Sequence, residues 1–137
     1  MIDWFLKTTE TRLSILKAQT RKLKLSDNID LRKIAEILPD RVTGADIGAI
    51  TSQAFTHALE SKLKRLETDA LRFYEEIGES IIDKNIAIAS YLNNMKEEEL
   101  QVVVDLGDFD VVMSTFTPSV SANDLEYYEH MKLLFEA

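Results

Sequence analysis

The chain has 137 residues, 45% of them hydrophobic, which is enough for one domain with a buried core. Four glycines and two prolines leave little room for loops or linkers and favour a mostly helical domain. The lack of cysteine excludes disulfides, cysteine-bound metals and thiol catalysis. The sequence has no secretory leader and no run of about eighteen apolar residues, so it predicts a soluble chain on the cytosolic side.

The net charge of −8 is unevenly distributed along the sequence. Residues 1–65 carry twelve Lys or Arg against eight Asp or Glu, whereas residues 66–137 carry four against sixteen. An acidic chain is a poor candidate for binding nucleic acid unless a local basic patch compensates, and we expect no such partner. Arg21, Lys22 and Lys24 form the one candidate patch. Cations that offset the carbonyl end of a helix explain it most simply, and a partner-facing patch is the alternative.

Two short helices are predicted in the first forty residues. Apolar residues recur at helical spacing from Glu10 to Leu23, and again in the stretch "SDNIDLRKIAEILP". Asp27 or Asn28 can cap the second helix, and Pro39 ends it. Neither helix is long enough to be stable alone, so both must pack on a neighbour.

The stretch "RVTGADIGAITSQAF" begins a much longer helix. Thr43 and Asp46 have the spacing of a capping box, in which each side chain accepts from the backbone amide of the other residue. An apolar stripe then runs to Gly78, so the helix can exceed thirty residues and protrude from a small domain. The stripe consists of Leu59, Leu63, Leu66, Ala70, Phe73 and Ile77. A following helix is expected to bury the face made of Ile82, Ile86, Ala89 and Leu92.

One strand is predicted at residues 100–106, "LQVVVDL", because apolar and polar residues alternate there. A single strand cannot satisfy its own backbone hydrogen bonds. We therefore expect it to pair with something outside this sequence or to remain an extended edge. Asp108 is then expected to cap one helix, and Ser121, supported by Asp124, is expected to cap the last one.

A complete active site is missing from the sequence. The four glycines lack the pattern of a phosphate-binding loop, and no apolar strand ends in paired carboxylates suited to magnesium. His57 and His130 each lack a second histidine at metal-ligand spacing, and no serine lies in a nucleophile elbow. We therefore predict that this chain alone is not an enzyme and has no catalytic or metal-binding residue.

Gly44 and Ala45 are the candidate ligand-binding residues. They lie at the positive end of the long helix, where no large side chain blocks the approach of an anion or of the polar edge of a heterocycle. From the spacing alone, an ordinary helix start is the simpler explanation.

Two motifs carry a resemblance to a known family. The stretch from Thr11 to Leu59, with "DLRKIA" followed by "TGADI" and Ala54, resembles the helical lid that follows the nucleotide-binding core in classical AAA ATPases. Further on, "DFDVVM" and "PSVSANDLEYYE" are similar to a second motif of the same family. The resemblance covers residues 9–137. Residues 1–8 are a leader that does not match, and residues 66–98 resemble an insertion or a helical extension.

Within this family, "ILKAQTRKLKL" and "LPDRVTGAD" are most similar to the second ATPase domain of the peroxisomal type with two ATPase rings, the peroxin-six type. The resemblance implies a mainly α lid bundle with one strand and one extended helix. It implies that Gly44 and Ala45 lie against the adenine and ribose of ATP, while Asp46 anchors the helix. The phosphates and Mg²⁺ would be held by a core domain that this sequence does not contain.

The resemblance also implies partners and a location. A lid of this kind contacts its own core and the adjacent subunit of a hexamer. The peroxisomal members pair with a second AAA peroxin, reach the cytosolic face of the peroxisome through a membrane anchor, and extract the import receptor at the expense of ATP. Two alternatives remain open. One is the lid of a microtubule-severing or membrane-remodelling AAA ATPase, and the other is a stand-alone interaction module that uses the 59–77 stripe as a coiled-coil face.

Overall fold

Residues 8–78, 83–118 and 122–136 are described by the structure, a computed structural model. In these ranges the chain is mainly α, which confirms the predicted fold class. The elements are α1 (Thr9–Thr20), β1 (Lys24–Leu25), α2 (Leu31–Ile37), α3 (Gly44–Ile77), α4 (Lys84–Asn93), α5 (Glu97–Leu100), β2 (Val103–Val104), α6 (Leu106–Thr115) and α7 (Ala122–Glu136). The predicted leader up to residue 7, the helix position of Ile82 and the cap at Ser121 lie outside the described residues.

The core lies where α1 and α6 pack on the N-terminal half of α3, with α2 packed on α1. α1 and α2 are short, and both bury apolar side chains in this core, so packing rather than intrinsic propensity holds them. The largest fully buried side chains are Leu16, Ile34, Val42, Ile47, Ile50, Val104 and Phe109.

The cap of α2 differs from the predicted one. Asp30, rather than Asp27 or Asn28, is the N-cap, and its Oδ1 accepts from the amide of Arg32 at 3.0 Å. The amide of Ile29 donates to the carbonyl of Ser26 and closes a turn there, so the cap lies two or three residues later than predicted. Asn28 instead accepts, through Oδ1, from the amide of Leu106 at 3.3 Å, so it binds the first amide of the distant helix α6.

The predicted strand is shorter than expected and finds its partner inside the chain. β2 pairs in parallel with β1, with Lys24 opposite Val103 and Leu25 opposite Val104. The expectation of a partner outside the sequence was therefore wrong. A two-residue strand such as β1 is too short to show any alternation, and for this reason the sequence gave no sign of it. The flanks of the predicted strand are helical, because α5 ends at Leu100 and α6 begins at Leu106.

The start of α6 also corrects a prediction. Asp105 is the N-cap, and Asp108 is the third helical residue in a second capping box. The amide of Asp108 donates to Asp105 Oδ1 at 3.1 Å, and the amide of Asp105 donates to Asp108 Oδ2 at 2.9 Å. Asp108 was expected to be the cap itself, but the helix begins two residues before it.

The long helix α3 has 34 residues, which confirms the predicted length of more than thirty. α4 packs against its distal part. Ala70 and Ala87 are buried, and the ring centroids of Phe73 and Tyr91 are 5.4 Å apart. The predicted buried face of α4 was wrong, because Ile86 and Ala89 are exposed. Apolar residues occur on several sides of this helix, so periodicity could not identify the packed one.

The last helix, α7, exposes large apolar side chains: Tyr127, Leu133, Leu134 and Phe135. Across the described part of the chain, no helix is both long enough and apolar enough to span a bilayer.

Candidate functional site

The first turn of α3 is fixed by a reciprocal pair of hydrogen bonds. The amide of Asp46 donates to Thr43 Oγ1 at 3.1 Å, and the amide of Thr43 donates to Asp46 Oδ2 at 3.1 Å. The predicted capping box is thereby confirmed. Asp46 is only 4% exposed, so its carboxylate is not presented to solvent. A negative group near a helix N-terminus is also favoured by the helix dipole.

Gly44 and Ala45 occupy the first two positions of this turn. Gly44 is half-buried and Ala45 is exposed. The amides of Asp46 and Ile47 are bound by the side chain and the carbonyl of Thr43. Within the described part of the chain, the amides of Gly44 and Ala45 have no acceptor. These two amides therefore remain available to an outside acceptor.

The fold itself does not require a glycine at position 44. Its φ is not in the left-handed region that favours glycine, which within the described residues is adopted by Gly78. A methyl group added to Gly44 would come no closer than 4.0 Å to the Cδ1 of Ile15. Glycine is also a poorer helix former than alanine. The bare backbone at this turn is thus not explained by packing inside the chain.

The turn that leads into α3 is held by a buried arginine in α1. Arg12 is 6% exposed, and its guanidinium donates to the carbonyls of Leu38 at 2.9 Å, Pro39 at 3.0 Å and Ala35 at 3.4 Å. No pattern in the sequence assigned a role to Arg12. The available signal was its position four residues before Leu16 on the buried face of α1, where a charge needs a strong reason to lie.

An open groove of about 230 Å³ lies between the end of α1 and residues 51–56 of α3. It does not include Gly44 or Ala45. Its lining residues are Gln19, Leu23, Thr51, Ser52, Phe55 and Thr56.

The two histidines differ in their surroundings. His57 Nδ1 lies 2.6 Å from Asp108 Oδ1, so a residue that looked isolated in the sequence has an acidic partner 51 positions away. His130 is exposed on α7. Among the residues that the structure describes, no three His, Asp or Glu side chains are grouped as ligands of one metal ion.

Comparison with known proteins gives a consistent group of relatives, although no family model matches the chain. The chain is 33% identical over 129 residues to a protein named peroxisomal ATPase PEX6 from Debaryomyces hansenii, covering 94% of this chain. It is 33% identical over 131 residues to PEX6 of Kluyveromyces lactis, with 95% covered, and 32% identical over 130 residues to PEX6 of Saccharomyces cerevisiae, with 94% covered. The chain spans only 11%, 13% and 12% of the lengths of these relatives.

These similarities make the chain a homologue of one segment of the peroxisomal ATPases. The relatives in question are the ATPases named PEX6. The predicted resemblance of this chain to their AAA region is confirmed.

Proposed function

We propose that this chain is the helical lid of a longer AAA ATPase of the PEX6 type and closes over the adenine of ATP. The observation that carries the proposal is the bare first turn of α3. Gly44 and Ala45 present two amides that have no acceptor among the described residues, and neither backbone conformation nor packing explains the glycine. Similarity to PEX6 supports the ATPase class, and the "TGADI" motif supports the lid within that class.

In this proposal the chain positions a nucleotide but does not hydrolyse it. The amides of Gly44 and Ala45 would donate to the polar edge of the base or to the ribose, and the absence of large side chains permits close approach. Thr43 and Asp46 keep the turn rigid through their two mutual hydrogen bonds. ATP phosphates and Mg²⁺ would be held by the core domain, whose residues supply the chemistry of hydrolysis.

The wider assembly follows from the same class of protein. We propose that the lid also contacts the neighbouring subunit of a hexamer, so that its movement on ATP hydrolysis is passed around the ring. By the resemblance to the peroxisomal type, the hexamer would contain a second AAA peroxin. It would act at the cytosolic face of the peroxisomal membrane, through a membrane anchor, to extract and recycle the import receptor.

The lid and the interaction module differ in what each requires of the apolar stripe on α3. Part of that stripe is covered within the chain, because Ala70 is buried and the ring of Phe73 meets that of Tyr91 in α4. Leu63 remains 56% exposed. A coiled coil with a second chain needs a continuous apolar seam. Because α4 covers the distal part of the stripe on α3, the packing favours the lid over the interaction module.

Calorimetric titration with ATP tests the proposal. The chain alone is compared with the extended protein, defined as this chain together with the ATPase core that the proposal places before it. Binding by the extended protein and not by the chain alone supports a lid. Tight binding by the chain alone contradicts it.

A further inference from the structure

The buried guanidinium of Arg12 lies at the junction between α1, the end of α2 and the turn that precedes Gly44 and Ala45. Among the described residues, its guanidinium donates to the backbone carbonyls at positions 35, 38 and 39, which lie in the last turn of α2 or just beyond it. A helix C-terminus carries partial negative charge on its free carbonyls, and a buried cation there is favoured by both charge and hydrogen bonding. Arg12 therefore fixes where α2 ends relative to α1.

Arg12 thus acts as a clamp on the end of α2. Only a few residues separate the clamped carbonyls from Gly44 and Ala45, so the backbone between them has little freedom to move. The amide of Val42 donates to the carbonyl of Pro39 at 3.3 Å, so the acceptor of Arg12 is itself part of the next turn. The side chains of Leu38 and Val42 are buried in the core. Thr43 then begins the capping box. A displacement of the carbonyls held by Arg12 would thus be transmitted directly to the first turn of α3.

We propose that Arg12 is a positioning residue, which sets the place and orientation of the Gly44 and Ala45 amides by clamping the end of α2. This inference rests on the proposed function for its consequence, because misplaced amides would weaken nucleotide binding. The planar fork of arginine is essential to the clamp. A lysine keeps the charge but offers a single ammonium that cannot reach three carbonyls in the same geometry.

Hydrogen exchange, followed by NMR on the chain itself, tests the clamp without any nucleotide. In Arg12→Lys, the amides of Val42, Thr43 and Asp46 should exchange about tenfold faster, since the turn opens locally when part of its support is lost. The amides of Ile50 and Ala54, in the buried part of α3, serve as the internal reference for global opening. Arg32→Lys is the matched control, because Arg32 forms an exposed ion pair with Glu10.

The outcome separates positioning from a merely structural role. Local acceleration in Arg12→Lys, with the reference amides and Arg32→Lys unchanged, is the expected result. Equal acceleration of all amides would show that Arg12 stabilises the whole bundle, and unchanged local exchange would show that lysine replaces it. Either of these results would overturn the inference, even if the variant is less stable, because rates are compared within one molecule.

The effect of Arg12 on ATP binding is tested in the extended protein. Arg12→Lys should weaken ATP binding about fivefold or more, a size typical of coupling between a support and a site. Ala45→Trp in the same protein tests the site directly. If Ala45→Trp weakens binding and Arg12→Lys does not, the positioning role is wrong and the lid proposal survives. If Ala45→Trp has no effect, the lid proposal itself fails.

Discussion

His57 in α3 and Asp108 in α6 are joined by a contact of 2.6 Å between Nδ1 and Oδ1, across 51 residues of sequence. Asp108 is buried, and its carboxylate also accepts from the amide of Asp105. The same carboxylate therefore completes the capping box of α6 and links α6 to α3. His57 is 37% exposed, so its part of the contact is open to water. The two residues should therefore contribute unequally to stability.

Removal of Asp108 is expected to be the more damaging change. Asp108→Ala leaves two donors without their acceptor and should lower the free energy of unfolding by about 1–3 kcal/mol. His57→Ala should cost less than about 1 kcal/mol, as expected for a partly exposed pair. Urea unfolding followed by circular dichroism measures both. Asp110→Ala, an exposed position in α6, is the control. Equal losses for His57→Ala and Asp108→Ala would refute the double role of Asp108.

Two substitutions at the start of α3 show which residue the fold needs. Thr43→Ala removes the side-chain acceptor of the capping box and should cost about 1 kcal/mol of stability. Gly44→Ala should leave stability unchanged or raise it slightly, because the added methyl meets nothing nearer than 4.0 Å. Thermal unfolding of both variants provides the comparison. A loss in Gly44→Ala as large as that in Thr43→Ala would mean that the fold itself requires the glycine.

Features of α3 that depend on residues close together in the sequence were predictable. The capping box of α3 lies within four residues, and the motif shows both partners together. The length of α3 also followed from its apolar stripe and from Gly78, the residue at which it ends. Prediction succeeded where the determining groups are close in sequence and have a characteristic spacing.

Contacts between distant segments were not predictable. β1 pairs with β2 across almost eighty residues, and two residues carry no strand pattern. Asn28 was expected to cap its own helix but binds the amide of Leu106. Arg12 supports a turn that begins more than twenty residues later. Each of these depends on how helices pack, and periodicity along one segment does not contain that information.

An exposed leucine on α3 distinguishes the lid from the interaction module. Leu63 is 56% exposed, so Leu63→Asp should change the stability of the monomer by no more than about 0.5 kcal/mol. The lid proposal predicts that sedimentation velocity gives the same association state for Leu63→Asp and the unchanged chain. Loss of self-association in the variant, with the fold intact, would instead support the module.

The ion pair between Glu10 and Arg32 should be visible in titration. The hydrogen bond from Arg32, together with its charge, lowers the pKa of the Glu10 carboxyl below its ordinary value of 4.5. The stabilisation is therefore present above the unfolded-state pKa and is lost as the pH falls through the folded-state pKa. Both groups are largely exposed, so the effect on stability is small. In Arg32→Gln, an NMR titration should show the pKa returning toward 4.5, and an unchanged value would contradict the pairing.

The most direct test of the lid is ATP affinity of the extended protein with a bulky side chain at Ala45, measured by calorimetry. Ala45→Trp should weaken binding by about tenfold or more, since the indole would hold the turn away from the base. Ala89→Trp is the matched control, because Ala89 is also an exposed alanine in a helix, on α4. The lid proposal predicts a loss for Ala45→Trp alone. Equal affinity of the two variants and the unchanged protein would contradict it.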